Sequence, residues 1–192
     1  MVDSVPHAAR VAPGYTRTAI ALHWLVAVLI LGAFALGLYM VELELSPTKL
    51  KLYSWHKWLG VTICMIAVVR LVWRLTHRPP PLPALPTWQR IAASTTHVLL
   101  YVLVLAIPIS GWLFSSASGF PVVYFGVLPL PDLVGKDKEL AKLLQSVHAT
   151  LNYTLMAIIV VHAAAAIKHH FVDRDVVFHR MLPLLREPRH KP

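Results

Sequence analysis

The stretch TAIALHWLVAVLILGAFALGLYMV, residues 18–41, carries no Asp, Glu, Lys or Arg in 24 residues. A helix needs about 20 apolar residues to cross the hydrocarbon core of a bilayer, so this run alone predicts a membrane span. Ala33-Phe34-Ala35 resembles a signal-peptide cleavage site, but the apolar run continues for six residues beyond it. The apolar core of such peptides is shorter than that, and an uncleaved helix is the expectation. Three similar runs follow, at about 53–75, 91–114 and 143–170. The whole chain of 192 residues is 57% hydrophobic and only 14% charged, too apolar for an ordinary soluble domain. The fold class expected is all-α, an integral membrane four-helix bundle, with residues 1–192 forming a single membrane domain.

Charge sets the expected orientation. With four spans, the N-terminus, the middle loop and the C-terminus share one side, and that side holds twelve of the 18 Lys and Arg residues. The other six are Lys49, Lys51, Lys57, Lys136, Lys138 and Lys142. Positive residues collect on the cytoplasmic face, so both termini are expected in the cytoplasm, flanking a multi-pass protein of a bacterial inner membrane. The net charge of +9 is accounted for in this way, and no basic-aromatic stripe on a soluble module suggests nucleic acid as a partner. Residues 1–15 read as a loose tail. The proline-dense THRPPPLPALP, residues 76–86, predicts an extended strap rather than helix. After the third span, SSASGFPVVYFG is expected to lie partly against the membrane, and the charged GKDKELAK to form a short surface helix. Tryptophans 24, 55, 58, 88 and 112 fall near span ends, as an interfacial aromatic belt requires.

The chemistry lies in the histidines. Of eleven, His23, His56, His97, His148 and His162 fall within or at the ends of spans, where ionisable residues are rare and usually face the bundle interior. His148 and His162 are fourteen residues apart. On an α-helix that interval advances about 21 Å and leaves an angular offset of only about 40°, so both share one face at opposite depths. Counting along alternating spans puts His56 level with His148, and His23 level with His162. His97 lies at the same depth as His23 and His162, and spacing alone does not say which two of those three would pair. Facing imidazoles at two depths suit two flat macrocycles with axial nitrogen ligands; two such ligands per iron favour electron transfer over oxygen binding. A lone histidine in a membrane helix is ordinarily a hydrogen-bonded packing residue, but four matched in depth are harder to explain that way. Zinc or nickel would call for ligands clustered at one depth, often with a carboxylate, and no Asp or Glu lies inside a span. The only cysteine, Cys64, rules out a CxxCH attachment, so any haem is held without a thioether bond.

The segments ALHWLVAVLILGAFALGLYM, LYSWHKWLG, VVRLVWRLTHRPPPLP, HVLLYVLVLAIPISGW, FPVVYFGVLPLP and VHAAAAIKHHFVDRDVVFHRMLP together resemble the bacterial cytochrome b561 family over residues 15–183. The resemblance implies a four-helix inner-membrane cytochrome with two b haems. It implies axial ligands at His23 in LHW, His56 in WHKWLG, His148 in SVHATL and His162 in VVHAAAA, paired His23 with His162 and His56 with His148. That leaves His97 as a neighbour of the cofactor or a quinone-site candidate. Family members similar to superoxide oxidase pass electrons from superoxide to membrane quinone, which implies ubiquinone as acceptor and a small anion as candidate donor. A haem-bearing anchor for a separate redox protein is the alternative. Lys49, Lys51 and Lys57 crowd the outer end near His56, where positive charge would steer an anion; Glu42 and Glu44 dilute the patch. Arg70, near the inner depth, is a candidate partner of haem propionates, whereas Arg74 is better placed to snorkel to headgroups. His169 and His170 fall at the cytoplasmic edge, in reach of a propionate, quinone or lipid headgroup. Gly60 and Gly111 are candidate points of close approach.

Overall fold

The computed structural model describes residues 14–81, 85–174 and 178–182. Most of the expected N-terminal tail, the middle of the proline-dense link and the C-terminal tail lie outside those residues. Four long helices make up almost all the rest: α1 (Arg17–Glu42), α2 (Pro47–Thr76), α3 (Thr87–Ala117) and α4 (Lys138–Lys168). Each is long and apolar enough to cross a membrane. The all-α four-helix class is therefore as expected.

The helix ends are set by local chemistry that hydropathy does not register. Thr16 caps α1 by accepting from the Ala19 N–H, and Ser46 caps α2 by accepting from Lys49, with Pro47 in the first turn. Both are standard ways of satisfying otherwise orphaned N–H groups. The α2 helix thus begins six residues before the expected span, and its first turns carry Lys49 and Lys51. Likewise α3 starts directly after Pro86, at Thr87 rather than residue 91. The segment GKDKELAK is not a separate surface helix: Asp137 accepts from the N–H groups of Glu139 and Leu140, so the charged residues after it are the opening turns of α4. The hydropathy window finds the part that meets hydrocarbon, whereas the cap decides where the helix begins.

Between α3 and α4, strands β1 (Val123–Tyr124) and β2 (Leu128–Pro129) pair antiparallel, Val123 opposite Pro129 and Tyr124 opposite Leu128. Their turn needs positive φ at Phe125 (50°) and Gly126 (75°); glycine takes this conformation freely, but for a bulky residue it is strained. The ring of Phe125 lies 5.2 Å from that of Trp58. Belt tryptophans do more than sit at an interface. Trp58 donates to the Val123 carbonyl at 2.7 Å and Trp112 to that of Pro131 at 3.1 Å, fastening the hairpin loop to α2 and α3. At the opposite end, Trp24 donates to the Met181 carbonyl at 2.9 Å and Arg180 to that of Pro81 at 2.7 Å. The two ends of the bundle are called below the hairpin end and the terminal end.

At mid-depth, Val26 and Ile30 of α1, Ile63 and Ala67 of α2, Leu103, Val104 and Ile107 of α3, and Leu155 of α4 form one buried apolar cluster. Outward-facing valines and leucines such as Val28, Leu31, Val72 and Val160 are more than half exposed, as lipid-facing positions should be. Helix α3 packs closely on α4, α1 on α2, and α2 on α3, but α4 makes few close backbone approaches to α1 or α2. That asymmetry locates the sites.

Candidate functional site

The imidazoles meet across the helix pairs that stand apart. At the terminal end, His23 of α1 faces His162 of α4 with ring centres 6.4 Å apart and planes at 72°. At the hairpin end, His56 of α2 faces His148 of α4 at 6.2 Å and 84°. With metal–nitrogen bonds of about 2.0 Å and a ring centre roughly 1.1 Å behind the bonding nitrogen, two imidazoles opposed on one metal have centres about 6.2 Å apart. Both pairs match that separation. The third imidazole at the terminal end, His97 of α3, is 5.5 Å from His162, too near for the two to oppose each other across one iron. Among the described residues, no three His, Cys, Asp or Glu side chains gather as a metal ion's own ligand set. Two facing imidazoles at each depth are a donor set that would fit an iron already held in a macrocycle.

His148 is the most firmly held of the group. Its Nδ1 lies 3.1 Å from the Ile107 carbonyl and 3.0 Å from Ser110 Oγ, while the Ser110 hydroxyl donates to the same carbonyl at 2.8 Å. The carbonyl can only accept, so Nδ1 carries the proton and Nε2 keeps its lone pair. This is how a second hydrogen bond fixes the tautomer and orientation of a metal-binding histidine. The ring also lies against Gly111, where an added Cβ would come within 2.9 Å of Cε1. His56 is held by packing instead. A Cβ at Gly37 of α1 would lie 3.3 Å from its Cε1, and its Nδ1 is buried without a hydrogen bond of acceptable geometry. The Ala33 carbonyl of α1 is a polar neighbour of this ring, so α1 supplies both the packing and the nearby acceptor.

At the terminal end the surroundings are polar. Arg70 of α2 lies within electrostatic reach of His23, His97 and His162. Its guanidinium stacks 5.2 Å over the Tyr101 ring, and that of Arg74 lies 5.6 Å from the same ring. His169 and His170 belong to a turn of π-helix closing α4, His169–Asp173. His169 Nδ1 lies 3.2 Å from Asp173, and His170 stacks on Phe178 at 4.7 Å.

One register organises both sites. Fourteen residues after His23 comes Gly37; after His56, Arg70; after His97, Gly111; and His162 follows His148 by the same interval. Every helix therefore presents one residue to each site on a single face. Half-way between, at seven residues, stand Ile30, Ile63, Val104 and Leu155, all in the buried mid-depth cluster. The hairpin-end site is two imidazoles and two glycines; the terminal-end site is three imidazoles and a guanidinium, with the apolar layer between them. Gly37 is absent from the sequence reading, although its interval from His23 was there to find. At Gly60 an added Cβ would meet no atom of the chain within 4 Å, so close helix packing does not explain that glycine.

The lysines at the hairpin end are partly engaged. Lys57 Nζ donates to the carbonyls of Phe120 at 3.0 Å and Pro121 at 3.4 Å, Lys49 to that of Leu43 at 2.5 Å, and Lys51 lies 5.2 Å from the Trp55 ring centre. Carbonyl contacts orient the ammonium groups of Lys49 and Lys57, and the Trp55 ring that of Lys51.

Residues 14–184 match the family described as Prokaryotic cytochrome b561. The chain is 38% identical to Cytochrome b561 homolog 2 of Escherichia coli (strain K12) over 164 residues, covering 84% of this chain and 87% of that protein. It is 29% identical to Cytochrome b561 homolog 1 of the same organism, covering 88% and 97%. To a Yersinia pestis protein named "Probable superoxide oxidase CybB" it is 28% identical, covering 90% and 97%.

Proposed function

The chain belongs to the prokaryotic cytochrome b561 family, membrane haem proteins of electron transfer, and from that premise we propose that it binds two b haems and carries electrons between an outer donor and the membrane quinone pool. His23 and His162 hold the haem at the terminal end, His56 and His148 the one at the hairpin end. Arg70 serves the carboxylates of the former, with His97 beside it as a neighbour of the cofactor or of ubiquinone. The single observation that carries this reading is the separation of the two imidazole pairs, 6.4 and 6.2 Å. The orientation proposed is the one the charges favour, both termini in the cytoplasm of a bacterium and the hairpin outside.

When bound, each haem supplies one-electron redox chemistry; the residues of the chain hold, orient and insulate it. The Ile107 carbonyl and the Ser110 hydroxyl keep the His148 proton on Nδ1. Gly37 and Gly111 let two helices approach the hairpin-end rings. The layer of Ile30, Ile63, Val104 and Leu155 excludes water between the sites. Purified protein should contain about two low-spin haems per chain by pyridine haemochrome assay. His148→Ala should remove one and His23→Ala the other, and retention of both haems in either variant would sink the assignment.

Superoxide is a second reading of the donor, supported by the name of the Yersinia pestis relative and by the charged Lys49, Lys51 and Lys57 at the hairpin end. Rapid-mixing reduction by superoxide should then weaken with salt and with Lys→Glu changes at these positions. No reduction by superoxide excludes this donor and leaves the alternative, a haem-bearing anchor that takes electrons from a separate redox protein.

A further inference from the structure

At the terminal end of α2, beside the histidine site, arginines gather with no carboxylate among the described residues to pair them. Arg70 and Arg74 stand four residues apart on α2, the spacing at which like charges on a helix repel one another, and Arg78 follows just past the end of the helix at Thr76. With His77 they line a cavity of about 60 Å³, walled also by Tyr15, Thr16 and Tyr101. Among the described residues no carboxylate lines it and none of the three arginines is in an ion pair. The Tyr101 ring that Arg70 and Arg74 share offsets only part of two charges. The carbonyl end of α2 favours one cation and the haem carboxylates proposed above would engage Arg70, which still leaves one arginine, beside His77, without an anion.

The position of the cavity narrows what would fill it. Trp73 lines it, donating to Thr16 Oγ1 at 3.0 Å and stacking on His77 at 3.8 Å. Tryptophans mark headgroup depth, and Val69 and Val72 of α2 beside it are each 54% exposed, as for a lipid-facing surface. A volume several times the roughly 10–15 Å³ needed for one water takes a tetrahedral oxyanion. The first turn of α1 begins at the same wall, with Thr16 as its cap, and helix N-termini favour anions.

We propose that this cavity binds the phosphate of an anionic phospholipid headgroup, one lipid per chain, with the acyl chains lying outside along α2. Basic pockets between membrane helices hold such headgroups elsewhere. The assignment rests on the chain spanning a membrane and not on the haem reading.

The test is native mass spectrometry of the purified, haem-loaded protein, offered phosphatidylglycerol, phosphatidylcholine or inorganic phosphate. Wild type should retain one phosphatidylglycerol with at least a tenfold preference over phosphatidylcholine, and millimolar phosphate should not displace it. Arg74→Gln/Arg78→Gln should lose that preference about tenfold with the haem spectrum unchanged. Should the double variant fail to fold, Arg78→Gln alone, beyond the end of α2, should still lower it several-fold. Equal retention of the two lipids, or retention unaltered in the variants, would overturn the proposal. Displacement by inorganic phosphate would make this a free-oxyanion site, and haem loss with intact lipid binding would assign the arginines to the cofactor; either result also overturns it.

Discussion

Gly111→Ala tests whether the hairpin-end histidine is held as tightly as its contacts imply. The new methyl carbon would stand 2.9 Å from His148 Cε1 and 3.2 Å from Nδ1, where ordinary contact begins at 3.4 Å. The ring must therefore retreat from α3 by about 0.5 Å, the difference between 3.4 and 2.9 Å. Both partners of its Nδ1, Ile107 O at 3.1 Å and Ser110 Oγ at 3.0 Å, are on that same helix. Retreat stretches the two contacts to about 3.6 and 3.5 Å, at or past the limit of a hydrogen bond. Overpacking of this kind costs about 1–3 kcal/mol and the lost bond about 0.5–1.5 kcal/mol, while alanine returns about 1 kcal/mol of helix propensity. The net is a loss of about 0.5–3.5 kcal/mol, or roughly 2- to 400-fold in how well the pair is held. On the proposed two-haem reading, haem content of the purified variant, by pyridine haemochrome, should fall from two toward one. Gly37→Ala is the internal control, because its Cβ at 3.3 Å from His56 Cε1 needs only about 0.1 Å of give and should leave haem content near wild type. Full occupancy with an unaltered spectrum in Gly111→Ala, or equal loss in Gly37→Ala, would refute the reasoning.

Ser110→Ala removes one partner of His148 Nδ1 and leaves the Ile107 carbonyl, so both haems should stay bound and release on heating should come earlier by about 1 kcal/mol of stability. Haem loss as complete as in His148→Ala would show that the hydroxyl, not the carbonyl, fixes the ring. Lys57→Met removes the ammonium that grips the Phe120 and Pro121 carbonyls; bonds from a charged donor are worth about 1.5–3 kcal/mol. Amide exchange over the hairpin loop should quicken roughly 10- to 100-fold with the helices unaffected, and unchanged protection would mean the loop is held by Trp58 and Trp112 alone.

The helices and the depth-matched histidines were legible because both follow from period and length. An uncharged run such as residues 18–41 has no alternative to spanning, and an interval of fourteen fixes face and depth together. Helix starts were not legible from hydropathy, since Ser46 and Asp137 cap in polar surroundings where no apolar signal exists. The choice among His23, His97 and His162 was not legible from spacing either, because three residues at one depth differ only in lateral distance, and 6.4 against 5.5 Å is a property of how helices pack. Gly37 shows the reverse case. Its interval from His23 was in the sequence, but a glycine carries no chemistry of its own, and only the His56 ring beside it gives the position meaning.

The shared register makes the two sites comparable residue by residue, and the difference between them has a direction. At the position where α2 gives His56 to one site it gives Arg70 to the other, while α1 and α3 give glycines to the hairpin end and histidines to the terminal end. A fixed cation favours the state with one more electron, and net charge near a haem is among the terms that set its potential. Over roughly 10 Å at an effective dielectric constant of about 20, one charge contributes about 1.7 kcal/mol, on the order of 70 mV for one electron. Arg70→Gln should therefore lower the midpoint potential of the terminal-end haem by tens of millivolts and that of the hairpin-end haem by about half as much, since some 20 Å, roughly twice the distance, lies between Arg70 and that site. Spectroelectrochemical titration of the two haems, told apart by His148→Ala and His23→Ala backgrounds, measures both. An unchanged or raised terminal-end potential, or an equal shift at both, would mean that Arg70 is neutralised where it stands. A fall distinctly larger at that end would mean that the arginine on α2 biases electrons toward the terminal end, which is the direction a donor at the hairpin end requires.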